Sequence, residues 1–312
     1  MIVLLWHVHG SWTTSFVQGR HTYLLPVLPG RGPYGRGRAA TWEWPPNAVE
    51  VTPAEAAEAE VDVVVLQRPE ELTALTETWL GGRAPGRDVP AVYVEHNAPQ
   101  GRINELRHPA ADRHDLVVAH VTHFNALLWD TGAAPTRVIE HGIVDPGERY
   151  SGELRRAAAM ANEPARRARV TGTDLLPRFS QMVPVDLYGL GTEVLGGHGN
   201  LVHGELHDVI GRRRLYLHPY RWTSLGLALL EAMHVGMPVV TLDTTEASEA
   251  IPRDAGIVSN RFDVLAAGIR ELLEEPERAR AMGKAARAAA LERFGVARFL
   301  ADWDQLLQEV AG

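Results

Sequence analysis

Short runs of β-branched and aliphatic residues recur through the first half of the chain, at IVLLW (2–6), VDVVVLQ (61–67), AVYVEH (91–96), LVVAHV (116–121) and RVIEHG (137–142). This is the pattern of buried strands. The segments between them, among them PAEAAEAEV, PEELTALTETWL and HFNALLWDTG, are helix-like or irregular, with lengths that suit crossover connections. A parallel sheet covered on both faces is the predicted product.

After residue 150 the alternation restarts. An arginine-rich stretch, RRAAAMANEPARRARVTG, receives no strand. It is followed by DLLPRF, strand VPVDLYG, strand LVHG, helix ELHDVIG, strand RLYLHPY and an apolar helix within TSLGLALLEAMHVGMPVV (223–240). Strand PVVTLD, helix TEASEAI, strand AGIVS, helix VLAAGIRELLEE and two further helices complete the chain. The prediction is two consecutive α/β domains, residues 1–148 and 149–295, with the boundary near DPGERYSG and a last helical segment at 296–312.

Composition narrows the function classes. The 312 residues suffice for two cores, and 45% hydrophobic with 22% charged residues describes an ordinary folded protein. Without cysteine there is neither a disulfide framework nor a thiolate metal site. MIVLLWHVHG has no basic segment before its apolar run and reads as a first strand, and no stretch reaches the length of a membrane span, so a cytoplasmic protein is expected. A net charge of −8 argues against nucleic-acid partners. One lysine, Lys284, accompanies thirty arginines, and arginine suits phosphate recognition.

The segment 223–240 carries the chemistry. Ser224 is placed to cap the helix, where the amides of Leu225, Gly226 and Leu227 have no intrahelical acceptor. Such an end binds anions, and a glycine at 226 lets a phosphate approach the backbone. Glu231, behind that end on nearly the same face, has the geometry to accept two hydrogen bonds from vicinal ribose hydroxyls. Pairing of Glu231 with Arg221 is the alternative. Gly236 closes the helix and Pro238 prevents it resuming.

SLGLALLEAMHVGMPVV, with LYLHPY before it and TLDTTEASEAI after it, resembles the donor-binding segment of the retaining glycosyltransferases of the GT-B fold, glycosyltransferase family 4. That resemblance implies two Rossmann-like, doubly wound domains facing a cleft, with the final helix (FLADWDQLLQEV) packing back on the first domain. It implies a nucleotide-diphosphate sugar donor, retention and no metal or other cofactor. It places the family's second motif glutamate on Glu231 and a glycine-rich turn on Gly189 in VDLYGLG, and it aligns Thr223 with the first motif glutamate. The phosphate-clamping Arg and Lys fall on Arg166 and Thr171, and Arg167 or Arg169 would have to replace the lost lysine.

In the first domain, EHNAP puts Glu95, His96 and Asn97 at a carboxyl edge, where open α/β sheets bind ligands. The resemblance sets His96 near the anomeric centre. HVHGSWTTSF stands where the family has a glycine-rich loop, offering Gly10 and Ser11, with Trp12 as an apolar face for a sugar ring. Arg31, Arg36 and Arg38, among glycines, read as a mobile solvated loop that leaves peripheral membrane contact open. His120 and His123 lack the companions a metal site needs. The expected function is glycosyl transfer to a small-molecule, glycan or lipid-linked acceptor. The alternatives are a catalytically silent nucleotide-sugar-binding protein and a nucleotide-sugar epimerase, the latter with Glu95 as its base.

Overall fold

The computed structural model describes residues 1–312, apart from the side chain of His203. The chain divides into two compact units, Met1–Gly142 with Val296–Gly312, and Ile143–Gly295.

The first unit runs β1 (Ile2–Leu5), α1 (Gly10–Phe16), β2 (Thr22–Pro26), β3 (Ala48–Val51), α2 (Pro53–Glu58), β4 (Val63–Leu66), α3 (Ala74–Trp79), β5 (Ala91–Glu95), β6 (Val117–His120), α4 (His123–Leu128) and β7 (Thr136–Val138). Its strands are parallel, in the order β3-β2-β1-β4-β5-β6-β7. The order reverses between β1 and β4, the switch point at which carboxyl ends open a ligand crevice. Sequence reading misses β2 and β3. The first is a short buried run, Tyr23–Leu25, cut off by Pro26, and the second is an edge strand whose Val49 stays 40% exposed. Alternate strand residues Leu4, Leu24, Val64, Leu66, Ala91 and Tyr93 build a core with Ala56 and Trp79 of α2 and α3. A capping box, Thr52 with Glu55, starts α2.

The second unit runs β8 (Leu154–Met160), α5 (Ala168–Thr171), α6 (Leu176–Phe179), β9 (Val185–Tyr188), α7 (His203–Gly211), β10 (Arg213–His218), α8 (Leu227–Val235), β11 (Val239–Thr241), α9 (Ala247–Ala250), β12 (Gly256–Val258), α10 (Phe262–Glu274) and α11 (Pro276–Arg293). All five strands are parallel, in the order β12-β11-β10-β8-β9. Here the order reverses between β8 and β10. Residues alternate between two cores: Ala158, Met160, Tyr216 and Val239 face α8, while Ala157, Ala159, Leu215, Leu217 and Val240 face α10. Finally α12 (Val296–Ala311) buries Phe299, Trp303, Leu306 and Leu307 at helical spacing against α1, β4 and β5 of the first unit.

Two sequence expectations fail in the second unit. The arginine-rich stretch contains a strand paired on both sides, β8, whose interior is alanine. Ala157 and Ala158 are fully buried, and small side chains there carry no β-branched signal. The expected strand LVHG is not a strand: Leu201 and Val202 lead directly into α7, which begins at His203. Two apolar residues cannot by themselves distinguish a strand from a helix entry.

Candidate functional site

The helix within 223–240 is α8, nine residues long. Ser224 does not cap it. Gly226 is the N-cap, without a side-chain cap bond, and the Leu229 amide donates to its carbonyl at 3.0 Å. Ser224 and Leu225 are buried ahead of the helix, Leu225 in the hydrophobic core, while Thr223 is half-buried beside them. The amides left without an intrahelical acceptor are therefore those of Leu227 and Ala228, so the open end lies two residues later than the sequence suggests. Gly226 has ordinary backbone angles, φ −69° and ψ 120°. A Cβ there would lie 2.5 Å from Cε1 of His218, so packing against that imidazole requires the glycine. At the other end Gly236 adopts φ 92°, and the Met237 amide donates to the Ala232 carbonyl, which closes the helix.

Glu231 is 4% exposed on α8. Arg221 does not pair with it, because that guanidinium grips Asp174 through both ends. The Glu231 carboxylate instead stands 3.5 Å from Nε2 of His207 on α7. His207 is invisible to motif reading, although a histidine on a helix that packs against α8 is the available signal. His218, at the end of β10, stacks on Tyr220 with ring centroids 4.3 Å apart. Burial holds the His218 pKa at about 3, so it is a neutral packing group.

Around the β8–β10 switch point the backbone is tightly specified. Gly189 has φ 124°, and a Cβ there would meet the Ala161 carbonyl at 2.3 Å. The loop after β9 is tied to the loop after β8 by Leu190 N–H to Asn162 Oδ1 at 2.9 Å and Glu163 N–H to the Leu190 carbonyl at 2.7 Å. Arg166 is 70% exposed and pairs with Glu163. Thr171 does not reach outward: it is fully buried, and its hydroxyl donates to the Arg167 carbonyl at 3.1 Å. Removed from the surface, it offers no contact to a ligand.

At the carboxyl edge of the first unit, His96 is 6% exposed and its Nε2 lies 3.0 Å from Oε1 of Gln67, whose amide donates to the Trp6 carbonyl. That network assigns the proton to Nε2. Burial, with His9 and His141 adding repulsion, pushes the His96 pKa well below its ordinary value, leaving it neutral. Gln67 is missed by motif reading, although a polar residue closing VVVLQ is its trace. Glu95 accepts the Asn97 amide at 2.6 Å and bonds His108 Nε2 at 3.1 Å, so its carboxylate is committed to the fold. Asn97 is exposed, and its main-chain carbonyl accepts from Trp129 Nε1.

The segment from Gly10 is the helix α1 and not a loop, with Ser11 half-buried in its first turn. Trp12 offers no face to a sugar: it is 1% exposed, enclosed by Phe16, Phe299 and Trp303. Nor are the arginines of 31–38 solvated alike. Arg31 pairs with Glu50, and Arg38 donates to the carbonyls of Trp44, Pro45 and Ala48, while Arg36 is exposed. His120 is buried in the core and His123 exposed at the start of α4, so they do not converge.

No helix among the described residues is long and apolar enough to cross a membrane. No curated protein matches the chain. Among solved structures, the sucrose-phosphate synthase of Thermosynechococcus elongatus aligns at TM-score 0.74 and 13% identity, over 99% of this chain and 98% of its own. HepE of Anabaena in complex with UDP-glucose aligns at TM-score 0.71 and 15% identity, over 99% and 100%. The pneumococcal O-GlcNAc transferase GtfA in complex with UDP and GlcNAc aligns at 0.58 and 15%, over 80% and 56%. At such identities these likenesses establish the fold, that of GT-B proteins. The family model "Glycosyl transferases group 1" matches residues 188–289, from the end of β9 through α8 into α11. Over that third of the chain the protein is similar to the group 1 glycosyltransferases.

Proposed function

We propose that the protein transfers a sugar from a nucleoside-diphosphate donor, a UDP-sugar first among them, to a hydroxylated acceptor. The observation that carries this reading is the pairing on α8 of open first-turn amides with the buried carboxylate of Glu231 about one turn further on, some 6 Å along the axis. The diphosphate would lie at those amides and Glu231 would grip the ribose hydroxyls. Donors of this class are supported by HepE, whose structures hold UDP and UDP-glucose. Catalysis then rests on stabilising the departing diphosphate and on positioning, with retention as the family implies. The carboxyl edge of the first unit, with neutral His96 and exposed Asn97, is assigned to the acceptor, a small molecule, a glycan or a lipid-linked sugar.

A silent nucleotide-sugar-binding protein is the second reading, favoured by Thr171, whose hydroxyl is turned into the protein, and by Thr223. An epimerase has lost its support, since Glu95 is bonded on both oxygens. Incubation with UDP-glucose, UDP-N-acetylglucosamine and GDP-mannose, with release of nucleoside diphosphate as the readout, tests the proposal. Release that Glu231→Gln abolishes supports transfer. Binding of the donor without any release, across a panel of sugar acceptors, selects the silent protein instead.

A further inference from the structure

We infer that the first unit holds a second small-molecule site, between α12 and the turn joining α1 to β2, which takes an uncharged monocyclic aromatic bearing one carbonyl oxygen. A cavity of about 280 Å³ lies there, walled by Phe16, Tyr23, Leu300, Trp303 and Leu307 and reaching solvent beside the exposed Ala301. An apolar cavity of about 150 Å³ already admits benzene, so this one has room for a substituted ring. The place is remote from the carboxyl edge. Residues 18–21 precede β2 in a wholly parallel sheet, so the cavity opens at the amino ends of the strands, whereas His96 follows the carboxyl end of β5.

Its walls are fixed. Asn47 Nδ2 donates to the carbonyls of Gly19 and His21 at 2.8 and 2.7 Å, and a Cβ on Gly19 would lie 2.1 Å from the Tyr23 hydroxyl, so only glycine leaves that hydroxyl its place. The charges are already matched. Asp304 Oδ1 accepts from Arg20 Nε at 3.2 Å and faces His21 Nε2 at 2.8 Å, while Oδ2 accepts from Arg20 Nη2 at 2.7 Å and Gln308 Nε2 at 3.1 Å. With two partners on each oxygen the carboxylate has no lone pair to offer a ligand. His21 is 6% exposed, and burial pushes its pKa below the ordinary value, leaving it neutral at pH 7. An ion entering here would lose its hydration and meet no counter-charge. The Tyr23 hydroxyl is what remains. Tyr23 is 1% exposed, and its oxygen accepts from the His21 amide. Its own proton, kept by burial, has no acceptor among the described residues. A carbonyl oxygen on the ligand completes that bond, and the ring lies among the faces and edges of Phe16 and Trp303. Such an occupant touches α1, β2 and α12 together and strengthens the docking of α12.

The test is titration of the full chain with acetophenone, toluene and benzoate, followed by amide NMR spectra, for wild type, Tyr23→Phe and Ala301→Phe. Unliganded melting temperatures check that the variants fold. Ala301 is exposed, so a phenylalanine there closes the mouth without entering the core. In wild type, acetophenone should shift amides of α12 and of the turn before β2, toluene should bind more weakly, and benzoate should leave them unmoved. Tyr23→Phe should weaken acetophenone by about 3- to 10-fold, the worth of one neutral hydrogen bond, and leave toluene unchanged. Ala301→Phe should abolish both. Acetophenone shifts that persist in Ala301→Phe, or that arise only elsewhere in the chain, overturn the site. Equal affinity in wild type and Tyr23→Phe overturns the carbonyl-bearing ligand, and the absence of any shift in wild type overturns the whole inference. The donor reading stands or falls with UDP and is untouched by each of these outcomes.

Discussion

The two carboxyl edges are furnished with different chemistry on the same scaffold of parallel strands. In the first unit the strand ends carry buried imidazoles, His96 after β5 and His120 ending β6, locked by Gln67 or by packing. In the second they carry arginines, glycines in left-handed or close-packed positions, and the open end of α8. Neutral imidazoles and amides suit an uncharged polyol, whereas guanidiniums and helix amides suit phosphate. The difference teaches that one architecture, wound twice, acquires its division of labour from a few residues beyond the strand ends.

Acid probes what the edges share. In the unfolded chain these imidazoles take up protons near pH 6.5, whereas the folded protein resists them down to about pH 4 at His120 and about pH 3 at His218, chiefly through burial. The unfolded state therefore binds more protons in that window, and stability falls as pH drops through it, by several kcal/mol in all. Urea melts at pH 7, 5.5 and 4.5 measure the fall. A flat profile would show that the imidazoles are not buried as described, and the first edge would lose its defining feature.

Glycines separate the edges more finely. Gly172→Ala places a Cβ against the Pro219 carbonyl at a positive φ, and we expect about 3 kcal/mol of lost stability. Gly10→Ala, in the first turn of α1 with its nearest neighbour 3.4 Å away, should change stability by less than about 1 kcal/mol. Equal costs in thermal melts would dissolve the contrast. An effect between those two is expected at Gln67. Its replacement by Leu leaves the His96 N–H and the Trp6 carbonyl without their partner and should cost about 1–2 kcal/mol. If Gln67→Leu melts like wild type, Gln67 is not what holds the imidazole.

Long apolar strands, the α8 helix and its Gly236 stop are legible in the sequence because they depend on periodicity and local backbone preference. The β8 strand is not, since alanines buried against helices on both faces look the same in a strand as in a helix. Glu231 is legible as an oddity in an apolar helix, but its neighbour His207 lies on another element, and only the packing of α7 on α8 brings them together. At Gly226 the structure adds a reason that the sequence does not show: the glycine accommodates His218. Trp12 fails as a sugar platform because aromatic residues near a loop are recruited by whatever core lies behind them, here α12.

The central claim, a nucleotide donor site on α8, is tested most directly by melting wild type and Glu231→Gln with and without UDP. At a hundred times its dissociation constant, UDP should stabilise wild type by about 2.7 kcal/mol, a rise of several degrees, and Glu231→Gln should lose most of that rise. An equal shift in both proteins, or no shift in wild type with UDP, GDP, ADP or dTDP, would contradict the account and leave Glu231 as a structural carboxylate beside His207.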